Sequence, residues 1–90
     1  MRGLLGKREL PGAEGILLRP ASSVHTFFMR FPIDVVFLDG DGAVVRVAER
    51  VPPWRAVAAR GSKAVVELRA GECEERELRV GDRVSLDPAA

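Results

Sequence analysis

From Ile33 to Val51 the chain reads as two apolar runs joined by Asp39-Gly40-Asp41-Gly42, and this stretch constrains the fold more than any other. Asp-Gly pairs tolerate the positive φ that tight hairpin turns require. The first run, Ile33 to Leu38, is rich in β-branched and aromatic residues and bounded by turn residues, which predicts a strand. Ala43 to Val51 then returns as its partner. A chain committed to a central antiparallel hairpin must bury that hairpin's apolar faces under further strands or a helix.

The remaining segments carry the same punctuation. Turn signals recur about every 8–12 residues, the rhythm of a sandwich or barrel. Ile16-Leu17-Leu18 predicts a short strand closed by Pro20. Val24 to Met29 predicts another, with Val24, Thr26 and Phe28 on one face and His25, Phe27 and Met29 on the other. Pro32 interrupts it, because proline cannot donate to a ladder. Pro52-Pro53-Trp54-Arg55 breaks the pattern again. Short strands are expected at Ala56 to Ala59 and Ala64 to Leu68, around a turn at Arg60-Gly61-Ser62. Gly71 to Leu78 is helix-compatible, with Cys73 and Leu78 facing inward. Val80 to Val84 reads as a turn into a last strand ending near Leu86. Arg2 to Leu10 has room for one or two helical turns, weakened by Gly3 and Gly6 and ended by Pro11. The fold class expected is mainly β, a β-sandwich or barrel of jelly-roll character, with one or two short helices. Residues 1–87 form a single small β domain and 88–90 a frayed tail.

Size and charge exclude several roles. With 90 residues there is one domain and a thin core. Fourteen basic residues balance 13 acidic ones for a net charge of +1, too little to gather phosphates along a face. Nucleic acid and acidic membrane surfaces are therefore poor partners on charge balance. No run of about 18–20 apolar residues predicts a membrane span. Met1-Arg2-Gly3-Leu4-Leu5 is basic then apolar, but Gly6 and Lys7 stop it, so it does not read as a signal peptide. Cys73 is the sole cysteine, so packing rather than a disulfide must hold the fold, and a cytoplasmic setting is the default.

Few residues carry chemistry. The Asp39–Gly42 tetrad lacks the later oxygen ligands of a calcium loop, since Ala43 and Arg50 hold those positions. His25 and Cys73 are too few for a soft metal site, so no metal and no cofactor is expected. No Gly-x-Ser-x-Gly elbow exists to make His25 part of a hydrolase triad. Cys73 sits among Glu72, Glu74 and Glu75, whose charge disfavours a thiolate. Asp34 lies inside an apolar run, on the face of Val36 and Leu38, and a carboxylate there needs a partner. Arg30 stands before the Pro32 break and is the expected partner, either as a structural ion pair or as half of a polar pair lining a cleft. Trp54 is either a lid over the core or part of an exposed recognition strip. The candidate ligand-binding residues are thus His25, Arg30, Asp34 and Trp54. No residue is assigned as catalytic. A hydrolase or carbohydrate-active enzyme using Asp34 with His25 or Asp39 is the alternative.

Arg2-Gly3-Leu4-Leu5-Gly6-Lys7-Arg8-Glu9-Leu10, Glu14-Gly15-Ile16-Leu17-Leu18 and the central His25-Thr26-Phe27-Phe28-Met29-Arg30-Phe31-Pro32-Ile33-Asp34-Val35-Val36-Phe37-Leu38-Asp39 are similar to one prokaryotic family. Pro53-Trp54-Arg55, Glu67-Leu68-Arg69-Ala70-Gly71 and Val80-Gly81-Asp82-Arg83-Val84 follow in the same order. The family is the domain of unknown function 192. The resemblance implies a compact jelly-roll-like β domain and no set activity, and many relatives look exported or membrane-anchored. Relatives usually carry a strand ahead of the Arg-Gly-Leu motif, so an open edge and a homo-oligomer through it are expected as a further alternative. Many also have a longer Trp-Met-Lys-Asn-Thr centre, whose pocket does not transfer to the shorter Phe28–Pro32 form. The function expected is a non-catalytic ligand-binding or accessory module, its partner an unspecified small ligand or protein.

Overall fold

The structure is a computed structural model and describes residues 15–84. Two predicted features, the helical turns at Arg2 to Leu10 and the tail at 88–90, lie outside the described residues, as does the end of the last predicted strand. The elements in chain order are β1 (Ile16–Leu18), β2 (Ser23–His25), β3 (Ile33–Leu38), β4 (Val44–Val51), β5 (Ala56–Ala58), β6 (Ala64–Arg69) and α1 (Glu72–Glu75). Among the described residues the strands form two antiparallel sheets that do not close into a barrel. The larger has the order β1-β6-β3-β4, and the smaller pairs β2 with β5.

The predicted hairpin is the centre of the molecule. Its turn closes through Asp39, whose Oδ1 accepts the Asp41 amide at 2.8 Å and the Ala43 amide at 3.0 Å. Gly42 takes φ 87°, and a Cβ there would lie 2.2 Å from the Val84 carbonyl oxygen, so only glycine fits. β3 is buried at every position because both faces of the larger sheet are covered. On one face Val36, Leu38, Val44, Ala64, Val66 and Leu68 pack under Cys73, Leu78 and Val84. On the other, Ile33, Val35, Phe37, Val51 and Val65 pack under Val24 of the small sheet, with Val57 beside it. The small sheet therefore caps one face as the second layer of a sandwich, while α1 and the following segment cap the opposite face.

Three predicted elements are shorter than expected. The strand expected over Val24 to Met29 ends at His25. The chain turns at Thr26, where the Met29 amide donates to the Thr26 carbonyl at 3.2 Å. Val24 and Thr26 are buried as the alternation requires, but Phe28 is 80% exposed. The predicted helix keeps only Glu72–Glu75, although Cys73 and Leu78 do face inward. The last strand is reduced to a bridge between Arg83 and Ala43.

Candidate functional site

Two loops, 26–32 and 52–55, meet beside the small sheet, and one side chain holds them together. Thr26 is fully buried. Its hydroxyl donates to the Pro52 carbonyl at 2.7 Å and accepts the Arg55 amide at 2.9 Å. Its own amide donates to the Arg55 carbonyl at 2.8 Å, and its carbonyl accepts the Trp54 amide at 3.0 Å. Both prolines in Pro52-Pro53 lack an N–H, so this register relies on Thr26 for its polar partners.

The aromatic side chains project from that clamp. The Phe27 ring lies 4.7 Å from the His25 ring and 5.5 Å from Trp54, the latter pair 24° from parallel. Phe28 meets Trp54 edge-on at 4.8 Å and 62°. Phe28 is 80% exposed, Phe31 59% and Trp54 56%. Phe28 at φ 69° and Trp54 at φ 65° both occupy the left-handed region. Bulky residues rarely go there, and the cost is roughly 1–2 kcal/mol each. The Arg55 guanidinium lies beside this edge, donating to the Trp54 carbonyl at 3.4 Å. Arg30 is exposed on the same loop as Phe28.

Ring spacing limits what the cluster can hold. Rings 4.7–5.5 Å apart touch one another, so no cation fits between them as in an aromatic cage. Phe27 already contacts two rings, those of His25 and Trp54. The surface is a ridge of touching rings, of which Phe28 is the most exposed. It suits insertion into an apolar partner better than cradling a small molecule.

Asp34 does not belong to this ridge. Its carboxylate is fully buried and accepts three main-chain amides: Arg50 at 2.8 Å, Cys73 at 2.9 Å and Gly71 at 3.0 Å. It thereby ties the end of β4 and the start of α1 to β3. The expected Arg30–Asp34 pair is not formed, because backbone donors from two other elements satisfy the carboxylate. Asp34 lies on the face of Val36 and Leu38, as its spacing predicts, and so opposite the small sheet that carries His25. Asp39 is committed to the hairpin turn at the other end of β3, where the Ala43 and Asp41 amides lower its pKa. Asp34, His25 and Asp39 therefore share no concave site.

Cys73, Glu67 and Arg50 are likewise governed by their surroundings. Burial, and then the Asp34 charge, push the Cys73 thiol far up, so it is not a thiolate at neutral pH. Burial raises Glu67 and the charge of His25 opposes that rise, placing this acid near the ridge's histidine. Arg50 donates to Glu74 at 3.0 Å, and that bond raises its pKa. Among the described residues no three His, Cys, Asp or Glu side chains gather as a metal site. None of the helices there is long and apolar enough to cross a membrane.

The model of the DUF192 family, described as uncharacterized ACR, matches residues 1–86. The chain belongs to this family. A UPF0127 protein from Thermococcus sibiricus is 36% identical over 67 residues, which are 73% of this chain and 43% of the relative. One from Pyrococcus furiosus is 42% identical over 64 residues, 70% of this chain and 54% of the relative. The chain thus spans about half the length of these curated relatives. A protein of unknown function from Novosphingobium aromaticivorans has a TM-score of 0.73 at 25% identity, covering 93% of this chain and 65% of its own. A Sinorhizobium meliloti protein put forward as a transcription regulator has a TM-score of 0.74 at 23% identity, covering 93% and 70%, and that likeness is one of fold.

For this DUF192 domain the four expected residues divide. His25 and Trp54 join one ring cluster through Phe27, Arg30 shares its loop, and Asp34 is apart. Sequence reading did not single out Thr26, Phe27 or Phe28. The signal was present: Phe27, Phe28 and Phe31 crowd a Pro32 break, more ring surface than one short strand can bury.

Proposed function

We propose that this domain is a non-catalytic binding module whose binding surface is the ridge of His25, Phe27, Phe28 and Trp54, margined by Arg30 and Arg55. One observation carries the reading: two bulky rings stand in water on left-handed backbones. One edge contact between the two rings offsets that strain only in part, and strain of this kind collects at sites that use it. Trp and Arg beside Phe form the residue set that dominates binding energetics. The buried Thr26 clamp pre-orders the ridge, which lowers the entropy lost on binding. Assignment as an enzyme has no comparable support, since the candidate acid and base groups are dispersed.

Trp54 is the only tryptophan, and the chain has no tyrosine, so its emission reports on the ridge directly. Titrating the protein with a panel of oligosaccharides, peptides and lipid vesicles is expected to shift Trp54 emission to the blue for one class. Absence of a shift with every class, at millimolar concentration, refutes the reading.

A further inference from the structure

Resting on that reading of the ridge, we infer that its occupant is the surface of an anionic phospholipid bilayer. Exposed ring surface is the first argument. The His25, Phe27, Phe28 and Trp54 rings touch in one chain of contacts, and Phe28, Trp54 and the nearby Phe31 stay 80%, 56% and 59% exposed, so apolar ring surface stands out in water with no gap between the touching rings. A bilayer interface accepts such a surface without a matching groove, and tryptophan with its polar N–H belongs at headgroup depth.

Charge is the second argument. The segments 26–32 and 52–55 contain Arg30 and Arg55 and no acidic residue. The net charge of +1 describes the whole chain, while acids concentrate elsewhere, at Glu72, Glu74 and Glu75 of α1. Glu67 is the acid that acts on the ridge's His25, and it is only half-exposed. With Phe28 and Phe31 entering the interface, both guanidinium groups come to headgroup depth, where each cation is attracted to anionic lipid. The rings supply most of the attachment and the arginines the preference for anionic lipid, so binding is reversible and modest.

Flotation with vesicles of phosphatidylcholine, with and without phosphatidylglycerol, tests this, with Trp54 emission read in parallel. The protein is expected to float with the mixed vesicles at millimolar lipid. Phe28→Asn removes the most exposed ring while keeping a residue that tolerates the left-handed backbone, and is expected to weaken binding about tenfold or more. Arg30→Glu with Arg55→Glu is expected to abolish the preference for the mixed vesicles. Val80→Ser, at an exposed valine outside both loops, is expected to bind as wild type. Equal flotation with phosphatidylcholine alone, or of Phe28→Asn, overturns the inference. So does a blue shift given by a peptide or oligosaccharide and not by vesicles, although the ridge then remains the binding surface. If no class of ligand shifts Trp54, the inference and the proposed function fall together.

Discussion

Thr26 shows how much one side chain organises here. Replacing it with valine keeps its shape and removes the hydroxyl, leaving the Arg55 amide and the Pro52 carbonyl short of a partner. Urea denaturation is expected to show a loss of about 1–3 kcal/mol. Phe28→Asn is expected to move the other way. Relief of the left-handed strain at φ 69° should raise stability by roughly 1 kcal/mol, offset in part by the lost edge contact with Trp54. A variant more stable to urea yet deficient in binding is what a site held under strain predicts. A large loss of stability would instead make Phe28 part of the scaffold.

At the scale of elements, the β3–β4 hairpin is tied at both ends by carboxylates. Asp39 caps its turn and Asp34 its open end, each accepting main-chain amides. The lowered pKa of Asp39 has a definite consequence for pH dependence. A carboxylate depressed in the folded state contributes fully above its unfolded pKa, and the contribution is withdrawn as pH falls through the folded value. The window therefore lies at and below the ordinary value of 3.8. Asp39→Asn keeps an oxygen for the turn and removes the charge. The stability advantage of wild type over Asp39→Asn, measured by thermal unfolding, is expected to hold at neutral pH and shrink below 3.8. An advantage independent of pH would show that charge has no part in the turn.

For the whole molecule, β1 and β4 are the outer strands of the larger sheet, the places where copies of the chain would pair. β1 is only 3 residues long, and β4 is blunted in several ways. Its register with β3 shifts near both ends, Arg50 takes φ 52°, and Val44 is covered by bonds to Asp82 and Gly81. Arg46, which donates to the Ala58 carbonyl, lies across toward the small sheet. Such an edge resists strand addition, so static light scattering is expected to report a monomer at high concentration. A concentration-dependent dimer that survives Phe28→Asn would place self-association on a strand edge after all.

Alternation, β-branching and Asp-Gly chemistry are local properties, and they alone determined β1, β3, β4, β5 and β6 to within a residue or so, together with the inward direction of Cys73 and Leu78. The face occupied by Asp34 was legible for the same reason, since period two assigns it beside Val36 and Leu38. Its partners were not, because they are backbone amides at Arg50, Gly71 and Cys73, positions that no residue type advertises. Likewise the end of β2 depends on bonds from Thr26 to a loop 26–29 residues further along the chain. Only when Pro52, Trp54 and Arg55 arrive does the chain turn at Thr26 and lift Phe28 out of the sheet. Local physics set which segments extend, while long-range hydrogen bonding and packing decided which side chains were left facing water as a site.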